Sequence, residues 1–126
     1  MRVYKVRVFA RFQRRERIAD AALAKAVRDA EAGLIDADLG GGLIKQRAAR
    51  PGQGKRSGYR TVIAYRRAER AVFLYGFAKS ARANIDADEL AALRRRGAGL
   101  LSAPEEALEP MIADDELIEV EYDEEE

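Results

Sequence analysis

Two runs of β-branched and aromatic residues lie close together in YRTVIAYRRAERAVFLYGFAK, residues 59–79. The runs are Tyr59–Arg67 and Ala71–Lys79, and only the short link Ala68-Glu69-Arg70 separates them. Runs of this composition with a short link are typical of two antiparallel strands. The sequence therefore predicts a β-hairpin near the middle of the chain.

A third strand is predicted just before the hairpin, at Leu43–Ala48. Its residues alternate with a period of two, which puts Lys45 and Arg47 on the same face. Residues 35–42, which end in three glycines, form a turn-rich link before this strand. A loop rich in Gly, Lys and Arg, residues 50–58, follows it.

Helices are predicted on both sides of these strands. The expected elements are an opening strand at Val3–Phe9, a short basic helix through Phe12 and Arg15, an amphipathic helix from an N-cap at Asp20 to a stop at Gly33, and a helix at Asn84–Gly97. Asp86 and Glu89 have the spacing of a capping box for the last of these helices. After Pro104, taken as a first helical position, a short acidic helix and a weak edge strand at residues 118–122 are expected.

This order predicts the α+β class, with a small antiparallel sheet and helices packed on one of its faces. The other face of the sheet would then be available for basic groups. A chain of 126 residues has the size of one domain.

Charge divides the chain into a basic body and an acidic extension. Residues 1–101 contain all 23 Lys and Arg with ten acidic residues, whereas residues 102–126 contain twelve acidic residues and no cation. A dense field of cations favours a polyanion such as a nucleic acid. The acidic residues 105–126 are expected either to cover part of the basic surface, or to be a solvated end or a docking tail for a partner.

Composition excludes several kinds of chemistry. The chain has no Cys and no His, so disulfides, thiolate catalysis and the commonest metal ligand are absent. No apolar run approaches a membrane span, and Lys5, Arg7 and Arg11 interrupt the N-terminus where a signal core would lie. We therefore expect a cytoplasmic protein with no membrane contact.

Two short motifs fail on their spacing. Gly54-Lys55 suggests a P-loop, but that motif needs glycine at position 49, which is alanine. Asp36 and Asp38 resemble the start of a calcium loop, but Arg47 occupies the place of the bidentate acid. We expect neither a metal site nor a cofactor.

The predicted strands and the loop between them bring basic residues together. They are Lys45 and Arg47 on one strand, Arg60 and Arg66 on the next, Lys79 and Arg82 after the third, and Arg50, Lys55 and Arg56 in the loop. Like charges placed side by side on a sheet repel unless an anion or solvent offsets them. Two interpretations of these basic residues remain. They form a shared phosphate-binding surface, or their side chains point apart into water.

Such a surface could support RNA cleavage by the 2′-OH of the substrate. Arg suits the stabilisation of charge on phosphate, because its fork is planar and always charged. Lys can act as a general base when its surroundings lower its pKa. The hydroxyl of Tyr59 could orient the substrate, or its ring could stack on a nucleobase. Catalysis and simple binding both remain open at this point.

Several separated motifs resemble the RelE-type toxins of bacterial type II toxin–antitoxin modules, in the HigB-like branch. The motifs are Asp36–Arg47, Gly52–Lys55, Ser57–Thr61, Tyr75–Ser80 and Asn84-Ile85, and the resemblance covers roughly residues 1–101. It implies a fold similar to microbial ribonucleases for residues 1–101, and the acidic C-terminal extension at residues 102–126 matches the family less specifically. It also implies a toxin that cuts mRNA on the ribosome without a metal and is neutralised by a cognate antitoxin, expected to be of the helix-turn-helix type.

By position, the resemblance implies that Arg60 is the arginine that stabilises the phosphate and that Lys79 is the matching basic residue at the end of the sheet. Lys45 and Arg47 would line the same surface. Which lysine acts as the base is left open. A sister branch, the ParE-like toxins, inhibits DNA gyrase instead, so the fold alone does not decide the function. The alternatives are therefore a gyrase inhibitor and a non-catalytic RNA-binding module.

Overall fold

The computed structural model describes residues 1–49, 58–82 and 84–123. Within them it contains these elements in order: β1 (Arg2–Val6), α1 (Arg7–Glu16), α2 (Asp20–Glu31), β2 (Ala37–Gly40), β3 (Leu43–Ala48), β4 (Tyr59–Arg66), β5 (Arg70–Ala78), α3 (Ala87–Ser102), α4 (Glu105–Ala113) and β6 (Leu117–Val120). Residues 50–57, with the predicted basic loop, lie outside the described residues.

The strands form one sheet in the order β2-β3-β4-β5-β1-β6. Neighbouring strands are antiparallel except β1 and β5, which pair parallel. The predicted hairpin is confirmed as β4 and β5, and the predicted strand at Leu43–Ala48 is confirmed as β3. The α+β class is also confirmed.

Helices lie against both faces of the sheet, rather than on one face as expected, so the basic residues share their face with a helix. A Cβ added to Gly76 of β5 would meet Phe12 and Phe9 of α1, and Gln46 of β3 contacts α2 on that same face. A Cβ added to Gly97 of α3 would instead meet Leu43 and Ala64. Successive side chains of a strand point to opposite faces, so Leu43 and Ala64 point away from the face that α1 and α2 cover. Helix α3 therefore covers the opposite face.

The opening strand is shorter than predicted, because it ends at Val6 and α1 begins at Arg7. The buried residues Phe9, Phe12 and Gln13 have helical spacing, and the ring of Phe9 lies 5.1 Å from that of Phe73. Packing of this helical face against the sheet outweighs the strand preference of Val8 and Phe9. The boundary of this strand was therefore wrong.

The start of α2 also differs from the prediction. Its N-cap is Ala19, without a capping side chain, and Asp20 is the first helical residue. The Asp20 carboxylate accepts hydrogen bonds from Gln13 Nε2 at 2.6 Å and Lys5 Nζ at 3.2 Å. Asp20 therefore joins α2 to α1 and β1 rather than capping its own helix.

The link at residues 35–42 contains a strand that the sequence pattern did not indicate, β2. This strand pairs with β3 at the edge of the sheet, with a register shift between Asp38 and Gly40. Gly40, Gly41 and Gly42 all have positive φ angles, and together they turn the chain back into β3.

Helix α3 has the predicted capping box but extends to Ser102 instead of ending at Gly97. Gly97 is buried against Leu43 and Ala64, where a side chain would not fit. The helix therefore uses this glycine for close packing rather than as a stop. Arg94 therefore lies in the middle of the helix rather than in its last turn, and its side chain donates to the carbonyl of Leu39.

The acidic C-terminal segment belongs to the same core. Pro104 is the N-cap of α4 rather than its first residue. Leu108 of α4 and Leu117 of β6 are fully buried, and β6 adds to the sheet beside β1, as the expected edge strand. No helix in the described ranges has the length and apolarity needed to cross a membrane.

Candidate phosphate-binding face

Part of the sheet face on the α3 side carries basic and aromatic residues. The register pairs Arg47 with Arg60, Lys45 with Val62, Arg60 with Phe77 and Val62 with Tyr75, so all these side chains share one face. We call Lys45, Arg47, Arg60, Tyr75 and Phe77 the basic sheet face. It lies beside the region that α3 covers.

Arg47 and Arg60 lie directly opposite each other on neighbouring strands, where two like charges repel. Asp36, just before β2, offsets this repulsion. Its Oδ1 accepts a hydrogen bond from Arg47 Nε at 3.2 Å, and its Oδ2 lies 4.0 Å from Arg60 Nε. The anion that such a cluster requires is thus partly supplied by the chain itself.

Arg60 is the most unusual cation of this face, because it is only 7% exposed. Its Nη1 atom is buried and has no hydrogen-bond partner within the described part of the chain. A buried guanidinium with an unused donor is costly, since charged groups in the interior need partners. The arrangement suits an anion that approaches the terminal nitrogens of Arg60.

The two lysines of the predicted site differ in their surroundings. Lys45 is half-buried on β3, two residues before Arg47 and on the same face. Lys79 is exposed and follows the last residue of β5, two positions after Phe77, which pairs with Arg60. Lys45 is thus part of the basic sheet face, and Lys79 lies at its border.

Arg82 packs against the aromatic residues of the basic sheet face. Its guanidinium carbon lies 6.0 Å from the ring centre of Tyr75 and 5.8 Å from that of Phe77, and Nη1 donates to the Tyr75 hydroxyl at 3.0 Å. Arg82 also donates to Glu89 with two short hydrogen bonds, of 3.0 and 2.6 Å. The hydrogen bond from Arg82 lowers the pKa of Glu89 to about 2.

Neither Tyr59 nor Arg66 joins the basic sheet face, because Tyr59 lies on the opposite side of the sheet and Arg66 lies at the far end of the α3 side. Tyr59 precedes Arg60 on β4 and so points to the opposite side, where its hydroxyl donates to Glu16 at 3.0 Å. Arg66 ends the same strand, and its Nη1 donates to the Leu101 carbonyl of α3 at 3.1 Å. Both residues join helices to the sheet. Arg50, Lys55 and Arg56 lie outside the described residues.

Sequence reasoning missed Asp36 as part of the site, although it considered and rejected this residue as a calcium ligand. No local signal in the sequence reveals it, because Asp36 comes close to Arg47 only through the strand β2, which the sequence pattern does not indicate. A groove of about 400 Å³ adjoins this contact, and Asp36, Gln46 and Arg47 are among its lining residues. Within residues that the structure describes, no three acidic side chains form a group able to hold a metal ion.

The family comparison gives a specific result. A family model described as the RelE toxin of the RelE/RelB toxin–antitoxin system matches residues 1–120. The match therefore includes the basic sheet face, α3 and the acidic elements α4 and β6. A search of curated proteins finds no match to the chain.

Proposed function

The chain belongs to the RelE family of toxins from toxin–antitoxin systems, and from this premise we propose that it is an endoribonuclease that cleaves mRNA on the ribosome. A toxin of such a system has an antitoxin as its partner. We further propose that this antitoxin has a helix-turn-helix domain. The reaction would need no metal and no cofactor.

The observation that carries the proposal is the pair Arg47 and Arg60. Arg47 and Arg60 lie on neighbouring strands, and one of them is buried with an unused donor. Their positive charge and planar sets of N–H donors match the negative charge and the acceptor oxygens of a phosphodiester. A surface that only kept the protein soluble would expose its cations to water. Arg60 is 7% exposed instead.

In the proposed reaction, the 2′-oxygen of a ribose attacks the adjacent phosphorus after losing its proton. The bond from phosphorus to the 5′-oxygen breaks, and that oxygen takes up a proton, which leaves a cyclic phosphate and a 5′-hydroxyl. Arg60 stabilises the negative charge that develops on the phosphate oxygens. Arg47 binds the same phosphate or its neighbour.

The two proton transfers need groups other than arginine, since a guanidinium does not lose its proton in proteins. We assign them to Lys45 and Lys79, which lie on and beside the basic sheet face. An amine can give up and take up a proton, as a general base and a general acid must. We assign a contact with a flanking nucleotide to Arg82, which donates hydrogen bonds to Tyr75 and Glu89, and we leave Tyr59 and Arg66 out of the site.

The test is induction of the toxin in growing cells, with Arg60→Ala and Arg67→Ala compared. Arg67 is exposed and follows the last residue of β4, whereas Arg60 is the second residue of that strand, so the control removes the same charge from the opposite end of one hairpin. Wild type and Arg67→Ala should arrest growth and produce new mRNA 5′ ends. Arg60→Ala should lose at least roughly 100-fold of the cleavage rate, the scale of losing a main electrostatic donor.

Other outcomes would identify the alternatives. Growth arrest with intact mRNA and induced DNA-damage signalling would favour a gyrase inhibitor. RNA binding without toxicity would favour a binding module. Equal mRNA cleavage by Arg60→Ala and wild type would reject the assigned role of Arg60.

A further inference from the structure

Asp36 contacts both arginines of the basic sheet face, Arg47 through a hydrogen bond and Arg60 through a longer ion pair. Its two carboxylate oxygens face Arg47 Nε at 3.2 Å and Arg60 Nε at 4.0 Å. Each arginine therefore meets Asp36 through the Nε edge of its guanidinium. The terminal nitrogens remain for another anion, and Arg60 Nη1 is buried with no partner in the described ranges.

Asp36 is itself held by a buried layer beneath the sheet. Its backbone N–H donates to Gln46 Oε1 at 2.8 Å, and Gln46 is 3% exposed. The Gln46 amide nitrogen donates to the Ala26 carbonyl of α2 at 2.9 Å and to the Leu34 carbonyl at 3.0 Å. Gln46 thus fixes the backbone of Asp36 relative to α2 and β3, from the face opposite the arginines.

The charges of this group also match the proposed ligand. Two arginines and one carboxylate leave one net positive charge, which is the complement of a single phosphodiester. The two arginines alone would repel each other across the strands. Asp36 offsets part of that repulsion through the Nε edges of the two arginines.

We propose that Asp36 is a positioning residue, which holds Arg47 and Arg60 parallel by their Nε edges so that their terminal nitrogens bind one RNA phosphate. This inference rests on the proposed ribonuclease function. Asp36 does not touch the substrate in this arrangement and takes no proton from it. Its effect on cleavage passes through the two guanidinium groups.

The test compares Asp36→Asn, Asp36→Glu and the control Asp38→Asn in cleavage of mRNA on programmed ribosomes. Asp38 lies two residues away, and its carboxylate accepts from the Gly40 N–H at 2.9 Å, a bond that asparagine can also accept. Asp36→Asn should lower kcat roughly 10- to 100-fold, the usual cost of a small misplacement of reacting groups, with KM changed less than about threefold. Asp36→Glu should recover part of kcat, and Asp38→Asn should match wild type.

The shape of the pH profile separates positioning from proton transfer. Asp36→Asn should keep the wild-type profile at a lower amplitude. Loss of one limb of the profile would make Asp36 a proton acceptor and overturn the proposal. A kcat equal to or above that of wild type would overturn it too, since Asp36 would then be neutral or a competitor of the phosphate.

A second measurement does not depend on cleavage. The side-chain Nε–Hε NMR signals of Arg47 and Arg60 should shift and exchange faster with water in Asp36→Asn, and should stay at their wild-type positions in Asp38→Asn. Unchanged arginine signals in Asp36→Asn would overturn the positioning role. If wild type cut no RNA while these signals still responded, the proposed function would fail and the positioning contact would stand.

Discussion

Gly76 and Gly99 differ in what a methyl group would meet at each position. A Cβ on Gly76 would lie 2.6 Å from Phe12 Cδ2 and 3.0 Å from Phe9, both buried rings, whereas Gly99 has open space around it. We expect Gly76→Ala to destabilise the protein by about 1–3 kcal/mol through overpacking. Gly99→Ala should stabilise it by up to about 1 kcal/mol, because alanine is the better helix former. Denaturant unfolding of both variants measures this difference, and equal effects would contradict the packing of α1 on β5.

At the scale of single residues, alternation predicted part of the site. Lys45 and Arg47 share a face because they are two positions apart on one strand. The same rule separates Tyr59 from Arg60, so the sequence already contained the reason why both cannot line one surface. The pairing of Arg60 with Arg47 depends on strand register. That register joins two strands separated by residues 49–58 of the chain, and it could not be derived from local pattern.

At the scale of elements, the start of α3 connects helix capping to the basic sheet face. The Asp86 side chain accepts from the Glu89 N–H at 2.9 Å, and Glu89 accepts in return from the Asp86 N–H at 3.1 Å. Glu89 also binds Arg82, whose guanidinium lies over Tyr75 and Phe77. The Glu89 carboxylate therefore takes part in the capping box of α3 and also holds Arg82 beside the proposed RNA site.

This dual role of Glu89 predicts a pH dependence of stability. The hydrogen bond from Arg82 lowers the pKa of Glu89 from 4.5 to about 2 in the folded protein. The folded state therefore binds fewer protons than the unfolded state within that range. The contribution of Glu89 to stability is complete above the unfolded pKa and is lost as pH falls from 4.5 toward 2.

Urea unfolding at several pH values between 6 and 2.5 would measure this effect. Glu89→Gln should be less stable than wild type at pH 6, and the difference should shrink as the pH decreases. Glu109→Gln, which changes an exposed glutamate of α4, should keep the wild-type dependence on pH. A constant gap between Glu89→Gln and wild type would contradict the linkage.

Elements with local signals could be predicted from the sequence, and elements made by pairing could not. The hairpin β4–β5, the strand β3 and the capping box of α3 each carry their signal within a few residues. The strand β2 has only the residues Ala37–Gly40, so its extended form depends on the partner β3. The parallel pairing of β1 with β5 joins segments about 70 residues apart and is likewise invisible to periodicity.

At the scale of the whole molecule, the acidic segment neutralises a different set of arginines from those of the basic sheet face. Glu105 contacts Arg2 at 3.4 Å and Arg70 at 3.0 Å, and Glu119 contacts Arg2 at 2.8 Å. These contacts involve β1, β5, β6 and α4, whereas Arg47 and Arg60 lie on β3 and β4. For residues 105–123, the expectation that the acidic segment covers the predicted phosphate surface is therefore not met.

This separation of charge predicts which cations contribute to RNA binding. Each phosphate contact on a single strand adds about −0.7 to the slope of log K against log salt, because binding releases condensed counterions. Arg47→Ala should make the slope less negative by about 0.7. Arg2→Ala should leave the slope at its wild-type value, since both terminal nitrogens of Arg2 already donate to Glu105 and Glu119, at the opposite end of the sheet.

The measurement is a salt titration of binding to a single-stranded oligoribonucleotide with 2′-O-methyl groups, which cannot be cleaved. Both variants remove one arginine, so a loss of slope that followed net charge alone would be the same in the two proteins. A loss in Arg47→Ala only would assign the phosphate contact to the β3–β4 side of the sheet. An equal loss in both variants would show instead that RNA responds to the total charge of the molecule, and the basic sheet face would then have no special part in binding.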